Sequence, residues 1–172
     1  MIQQRSAVKN IESLMNQLES KDGETRQAAR GLLVDIGKPA VLSLNDALQN
    51  SDKEQVRWEA AKALGDIDDT AVIDPLIKVL GDSDADVAWL AAEGLKKFKI
   101  KAWPSLLNKL IKNGADSGIL RHGVHHVLLG QKEYGYSDLL ETLTKALDSS
   151  TLPSQGLEAA NAILKKMKEK SE

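Results

Sequence analysis

VRWEAAKALGDI occupies residues 56–67, and a matching stretch, VAWLAAEGLKKF, occupies residues 87–98. Both stretches place valine, tryptophan, Ala-Ala and leucine at the same positions, and Val56 and Val87 are 31 residues apart. The shared apolar residues recur four and eight residues after the valine, which predicts an amphipathic helix with one buried face. An amphipathic helix that returns at a fixed interval is typical of a repeat protein.

Three more segments fit the same frame, and the five frames begin at Thr25, Val56, Val87, Ile119 and Gln155. Four positions into each frame the residue is small, and the five residues are Ala29, Ala60, Ala91, Gly123 and Ala159. Eight positions in it is a large aliphatic residue, and the five residues are Leu33, Leu64, Leu95, Val127 and Ile163. Small and large residues in alternating rows allow neighbouring helices to approach closely and interlock.

A second set of predicted helices lies between these segments, each with two leucines four residues apart and ending at Leu18, Leu48, Leu80, Leu110 and Leu147. No segment alternates with period two long enough to predict a strand. The sequence therefore predicts an all-α solenoid, a right-handed superhelix of about five stacked helical hairpins. Residues 1–172 are interpreted as one domain, with repeats at about 8–37, 38–68, 69–99, 101–131 and 134–170.

The repeated stretch, followed by AVIDPLIKVLGDSDADV at residues 71–87, resembles HEAT repeats, and specifically the short HEAT-like repeats of phycobilisome lyases. The resemblance implies a helical repeat fold that serves mostly as a binding scaffold. In that family an arginine near the start of the second helix commonly pairs with an aspartate of the preceding turn and bridges neighbouring repeats. Arg26 and Arg57 match this arginine and Ala88 departs from it. The matching aspartates are Asp52 and Asp84.

The two ends of the chain carry polar residues where the middle repeats are apolar. Five positions into the frame, the first repeat has Arg30, whereas the next three have Ala61, Ala92 and Val124. We interpret Arg30 as facing no neighbouring repeat, so that the first hairpin is an amino-terminal cap. The final helix ends in the polar run KKMKEKSE, as an outer cap should.

Positions two, six and nine of the frame lie opposite the core and are predicted to line a concave groove. We therefore expect a partner-binding row of Trp58, Trp89 and Arg121, beside Lys62, Glu93, His125 and Leu128. Glu59 is placed on the same surface. Tryptophan and arginine are the residues most enriched at interface hot spots. The alternative is that the two tryptophans fold onto neighbouring helices and complete the core. Trp103 occupies a core position.

Composition excludes several function classes. The chain has 23 Lys+Arg against 25 Asp+Glu, a net charge of −2, which offers no bulk attraction to nucleic acid or to a membrane. It has no cysteine, which excludes thiolate catalysis and disulfides. No Gly-rich phosphate loop, Ser/His/Asp arrangement or paired-carboxylate motif indicates an enzyme. Without a signal segment or an apolar run of about 18 residues, the expected location is cytoplasmic.

The three histidines of the chain, His122, His125 and His126, lie together at spacings that metal ligands use on a helix. Glu93, one repeat earlier, is aligned with His125 and offers a carboxylate. No second histidine cluster accompanies them, so we expect no bound metal and no cofactor. The runs KKFKIK and KKMKEK fall at predicted helix ends, where cations stabilise the helix dipole.

Two functions remain open from the sequence. The first is a non-enzymatic scaffold that binds a protein or peptide in the concave groove, with a second copy of this chain among the candidate partners. The alternative, which follows from the resemblance, is a chromophore- or metal-binding subunit similar to phycobilin lyases. Bound colour or stoichiometric metal in the purified protein would favour the alternative.

Overall fold

The computed structural model describes the backbone of residues 2–170 and the side chains of residues 10–170. Over this range the chain forms ten α-helices, three short 3-10 helices and no strand. The α-helices are α1 (Ile2–Gln17), α2 (Gly23–Ile36), α3 (Val41–Asn50), α4 (Glu54–Asp66), α5 (Ile73–Lys78), α6 (Ala85–Lys96), α7 (Trp103–Asn113), α8 (Gly118–Leu128), α9 (Ser137–Leu147) and α10 (Ser154–Glu169). None of these helices combines the length and apolar character that crossing a membrane requires.

The helices are arranged in two layers, which confirms the predicted all-α solenoid. In one layer α2 packs on α4, α4 on α6 and α6 on α8; in the other α1 packs on α3 and α5 on α7. The core lies between the layers, and the leucines predicted to anchor the first helices are all buried there: Leu18, Leu48, Leu80, Leu110 and Leu147. The predicted right-handed superhelix and the single-domain division remain predictions.

Glycine allows α4 and α6 to approach closely. A Cβ added to Gly94 would lie 2.6 Å from the Cα atom of Gly65 and 3.1 Å from a methyl carbon of Leu76. Real Cβ atoms are not found at such distances from a backbone carbon, so a side chain at residue 94 forces the two helices apart. Gly65 and Gly94 thus set the spacing between the second and third hairpins.

We expect Gly94→Ala to destabilise the protein by about 1–2 kcal/mol. Overpacking costs about 1–3 kcal/mol, from which the better helix propensity of alanine subtracts up to about 1 kcal/mol. Gly31→Ala is the matched control, because a Cβ at Gly31 meets no atom within 4 Å. The control should gain about 0.5–1 kcal/mol from helix propensity alone. Urea denaturation of both variants measures the difference, and equal stabilities would contradict the close approach.

Arg30 does not face an empty side of the first hairpin, so its interpretation as a cap residue is wrong. Its guanidinium donates to Glu59 on α4 and lies over the ring of Trp58, 5.6 Å from the ring centroid. Glu59, predicted to be on the surface, is only 3% exposed and also accepts a hydrogen bond from Arg26 Nε at 3.1 Å. The charge at Arg30 therefore joins the first two repeats.

The last hairpin packs in a different order from the other four. α9 contacts α8 and α10 contacts α7, whereas the repeated frame places α10 in the layer of α8. Gln155, which the frame aligns with the buried Val56, is accordingly exposed. The longer connection at residues 129–136 allows this arrangement, in which Tyr136 is buried edge-on against Trp103 with ring centroids 5.6 Å apart. Trp103 is in the core, as predicted.

Candidate functional site

The two tryptophans of the repeated stretch lie on the same layer of helices but differ in exposure. Trp89, on α6, is 55% exposed. Trp58, on α4, is half-buried and packs against the core, with the guanidinium of Arg30 over its ring. Of the two predicted alternatives, Trp58 thus agrees in part with the one in which the tryptophans complete the core. Trp89, in contrast, is available to a partner.

The fourth repeat begins one residue later than the sequence pattern predicted. The amino-terminal cap of α8 is Ser117, whose side chain accepts from Leu120 N, three residues on, as Asp84 does from Val87 N before α6. Leu120 and Val87 are both buried, whereas Ile119 is 49% exposed. The frame of this repeat therefore starts at Leu120 and not at Ile119.

Because of this shift of one residue, part of the predicted binding row lies in the interior of the protein. Arg121 is only 7% exposed, and its guanidinium donates to Gly114 O at 2.8 Å and to Ser150 O at 2.7 Å. Leu128 is 1% exposed and belongs to the core. Their predicted placement in the groove is wrong, because one residue rotates a helical position by about 100°. The exposed neighbours that replace them are His122 and Leu129.

His125 is also outside the predicted row, and the histidine that lies beside Glu93 is His126. His125 Nε2 lies 3.3 Å from Asp148 Oδ1, in the turn after α9. His126 Nε2 contacts Glu93 Oε1, and Lys96 Nζ lies 2.8 Å from the same oxygen. The hydrogen bonds from Lys96 and His126 hold the pKa of Glu93 below its ordinary value. This link between α6 and α8 therefore stabilises the fold above the ordinary glutamate pKa and weakens as pH falls through the folded-state value.

The exposed side of α4, α6 and α8 forms the candidate surface, here named the second-helix face. Its members are Trp58, Lys62, Trp89, Glu93, His122 and His126. Lys62 is half-buried and donates to Asp66 at 2.9 Å. Of the predicted site residues, the structure brings Trp58, Lys62, Trp89 and Glu93 together around one cleft of about 440 Å³ between α4 and α6.

A second cleft, of about 340 Å³, lies on the other side of Trp89, between α6 and α8. Three alanines, Ala85, Ala88 and Ala92, form its floor along α6, and Ile119 and His122 face them from α8. Trp89 lines both clefts and so stands between them. We did not predict Ile119, His122 and His126 as binding residues from the sequence. The signal that gives the correct frame is Ser117, recognised as a helix cap.

The row of arginines predicted from the resemblance is interrupted, as Ala88 indicated. Arg57 Nη2 lies 3.5 Å from Asp82 Oδ1 and 3.8 Å from Asp84 Oδ2, in the turn before α6. Asp84 is therefore a partner that bridges two repeats, but it belongs to the turn of the following repeat, and the expected pairing with the preceding turn is wrong for Arg57. Arg26 pairs with Glu59 instead of Asp52. In the corrected frame Arg121 occupies the same position in the fourth repeat. Only the third of the first four repeats has alanine there.

The basic run at residues 96–101 connects two repeats. Lys97 Nζ donates to Gly65 O at 2.8 Å and to Ile67 O at 2.7 Å, the carbonyls at the carboxyl end of α4. A cation at this end of a helix is favoured by the helix dipole, as the sequence suggested, although the helix belongs to the preceding repeat. Burial lowers the pKa of Lys97 below its ordinary value.

The histidines do not converge on one point. His122 is exposed, His125 is beside Asp148, and His126 is beside Glu93. Among the described residues, no group of three or more His, Asp or Glu side chains is placed to hold a metal ion. That the purified protein contains no stoichiometric metal stays a prediction for elemental analysis.

Comparison with known proteins identifies the repeat. The family described as HEAT repeats matches residues 11–96 and again residues 43–128, which together span more than half of the chain. No curated protein matches it. The match does not distinguish the short repeats of phycobilisome lyases, and it indicates no catalytic family. HEAT repeats generally mediate protein–protein interaction. The chain belongs to the HEAT repeat family.

Proposed function

We propose that this chain is a non-enzymatic interaction module that binds a protein or peptide segment on the second-helix face. The single observation that carries the proposal is Trp89, a large aromatic side chain that is 55% exposed between two clefts. Burying the exposed part of an indole ring stabilises a complex, and central aromatic residues dominate interface energies. We expect this face to be the concave side of the solenoid.

The surroundings of Trp89 support an anchor rather than a random exposed residue. Trp58 and Lys62 border the cleft on one side, and Ile119, which is 49% exposed, borders the cleft on the other. Charged groups at the edge, including Lys62, Asp66 and Glu93, are paired with one another or with neighbours. An apolar centre with a polar rim is the usual arrangement of a protein interface.

We expect Trp89→Ala to weaken binding about 30-fold or more, equivalent to about 2 kcal/mol, with little change in folding stability. The partner is first identified with the wild-type chain as bait, and its dissociation constant is then measured by calorimetry for each variant. Leu42→Ala is the control, because Leu42 is 79% exposed on α3, in the other layer. That control should leave the affinity unchanged.

Two results would contradict the proposal. In one, the partner binds Trp89→Ala as tightly as wild type. In the other, Trp89→Ala lowers the melting temperature by about ten degrees, as a core deletion does. A second copy of the chain as partner is tested by sedimentation equilibrium, in which Trp89→Ala should shift a dimer toward monomer and Leu42→Ala should not. Trp58→Ala should reduce both binding and stability, because Trp58 is half-buried against the core.

A further inference from the structure

A third cleft, of about 340 Å³, lies at the carboxyl-terminal ends of α6 and α8, and its lining is basic. The charged residues that line it are three lysines and one carboxylate: Lys96, Lys99, Lys132 and Glu133. The chain as a whole has more acidic than basic residues, 25 against 23. The positive charge is thus a feature of this cleft and not of the overall composition.

Contacts within the fold account for only part of this charge. Lys96 Nζ lies 2.8 Å from Glu93 Oε1, so this lysine is already paired. Lys99 and Lys132 are both exposed, and neither forms an ion pair with any residue that the structure describes. These two lysines share the lining of the cleft with a single carboxylate, that of Glu133. One positive charge is therefore left in excess at the cleft.

The backbone at Lys99 favours a residue other than lysine. Its φ is 48°, and over the described part of the chain no other residue except glycine has a positive φ. Lys99 follows the end of α6, where this conformation is usually taken by glycine or asparagine because a Cβ crowds the backbone. Lysine at this residue costs the fold stability and forms no ion pair in return, which indicates that its charge serves a contact outside the chain.

The cleft also has an apolar part, which is held in place by hydrogen bonds. Leu129 is 57% exposed beside the lysines, and the buried ring of Trp103 forms another part of the lining. Gln131 fixes this arrangement, since it accepts from Trp103 Nε1 at 2.9 Å and donates to Val127 O at 2.9 Å. A large apolar side chain of a partner can therefore cover Leu129 in a cleft that is already formed.

We propose that this cleft binds an acidic protein segment, whose carboxylates pair with Lys99 and Lys132 and whose large apolar side chain packs on Leu129. The cleft shares no residue with the second-helix face, so this inference does not rest on the proposed function. Cations around an exposed apolar side chain complement a segment of opposite charge and disfavour a basic one. Leu129 favours a protein over nucleic acid, whose phosphates pair with lysines but leave a leucine uncovered.

The experiment uses a random 12-residue peptide library displayed on phage. The library is selected against the immobilised full chain and depleted on the double variant Lys99→Asn, Lys132→Gln, so that the remaining peptides depend on this cleft. We expect these peptides to be enriched in aspartate and glutamate and to contain a large apolar residue. Their affinity, measured by calorimetry, should fall as the salt concentration rises, because the charge pairs are exposed to solvent.

Single variants locate the bound segment. Lys99→Asn and Lys132→Gln should each weaken the acidic peptides about threefold, and the double variant about tenfold, as expected for exposed charge pairs. Asparagine tolerates a positive φ, so Lys99→Asn keeps the backbone. Leu129→Ala should weaken the peptides about fivefold, because less apolar surface is covered. Lys38→Gln is the matched control, since it removes an exposed lysine after α2, and it should leave the affinity unchanged.

Each alternative result has a definite meaning. No peptide above background, or peptides without an excess of acidic residues, would overturn the inference. Peptides that Lys38→Gln weakens as much as Lys132→Gln would show a general effect of net charge and overturn the cleft as their site. An equal loss in Trp89→Ala would place the peptides on the second-helix face instead. A short single-stranded DNA that binds as tightly as the peptides would overturn a protein segment as the partner.

The proposed function is tested separately from this inference. If the acidic peptides bind Trp89→Ala and wild type equally, the cleft at the ends of α6 and α8 is confirmed as a site of its own. That result holds whether or not the second-helix face binds a partner.

Discussion

Trp103→Ala should destabilise the protein by about 3–5 kcal/mol, the cost of removing a large aromatic side chain from a packed core. Trp103 is the first residue of α7 and is 1% exposed. Its indole Nε1 donates to Gln131 Oε1 at 2.9 Å, and its ring meets Tyr136 edge-on. Truncation therefore opens a cavity, leaves the side chain of Gln131 without its donor and removes an aromatic pair.

The damage should be concentrated in the last hairpin, because Trp103 contacts the connection that positions it. Gln131 also donates to Val127 O at 2.9 Å, and the amines of Lys166 and Lys170 on or next to α10 lie over the Tyr136 ring at 5.3 and 4.8 Å. In a solenoid each repeat is stabilised mainly by its neighbours, so an end repeat can unfold first. Hydrogen exchange should show α9 and α10 losing protection before α4 and α6.

Trp103→Phe is the control for this prediction, since it keeps most of the buried ring and loses the hydrogen bond. It should cost about 1–2 kcal/mol, because the partly buried side chain of Gln131 loses its donor and some packing is lost as well. Urea denaturation followed by circular dichroism measures both variants. A loss below about 1 kcal/mol for Trp103→Ala would show that the last hairpin is held without it.

The helical repeat could be predicted from the sequence because the information is local and occurs five times. Leucines four residues apart, small residues facing them and capping residues in the turns each indicate the same hairpin. All five leucines that were expected to anchor the first helices are buried. Trp103 was placed correctly by the same comparison of equivalent positions, since one core position is filled by an apolar residue in every repeat.

The frame of the fourth repeat could not be fixed by apolar residues alone. Ile119 and Leu120 are adjacent and both apolar, and either can be aligned with Val87. Only the cap separates them, because Ser117 accepts from Leu120 N as Asp84 does from Val87 N. An error of one residue exchanges buried for exposed positions on a helix, which is why the expected surface lost Arg121, His125 and Leu128.

Contacts between repeats were the other part that the sequence did not predict. The position of a residue in the repeated frame predicts which face of its helix the residue occupies, but not which neighbouring helix contacts that face. Arg30 was assigned to an open end of the stack, whereas it contacts α4. The order of the last hairpin was missed for the same reason, since α9 and α10 have ordinary helical patterns and only their packing on α8 and α7 differs.

Glu59→Leu should destabilise the protein by about 3 kcal/mol, because removing one member of a buried ion pair leaves its partners uncompensated. Glu59 accepts from Arg26 and Arg30 of α2 and from Gln55 of its own helix, at 3.1 Å from Arg26 Nε and 3.2 Å from Gln55 Nε2. The loss of stability should stay near the lower end of the range for buried ion pairs. Both arginines keep some exposure, and Arg26 retains a hydrogen bond to the carbonyl of Ser20.

The chain itself supplies the matched control. Between α4 and α6 the positions of Arg30 and Glu59 are occupied by Ala61 and Leu90, which are both buried. The double variant Arg30→Ala, Glu59→Leu gives these two positions the residues of the next interface. Replacing a buried ion pair by apolar residues is often neutral. Arg26 also loses Glu59 and keeps only its hydrogen bonds to the carbonyls of Ser20 and Lys21, so the double variant should return to within about 1–2 kcal/mol of wild type.

Urea denaturation of wild type, both single variants and the double variant completes a thermodynamic cycle. We expect a coupling energy of about 2 kcal/mol between Arg30 and Glu59, since the two side chains are in direct contact. The fluorescence of Trp58 should also shift to longer wavelength wherever Arg30 is absent, because the guanidinium covers its ring. If the losses of the two single variants simply add in the double variant, the pair is not coupled. The apolar interface between α4 and α6 then depends on features that the interface between α2 and α4 lacks. The close approach of Gly65 and Gly94 would then be the first such feature to transfer.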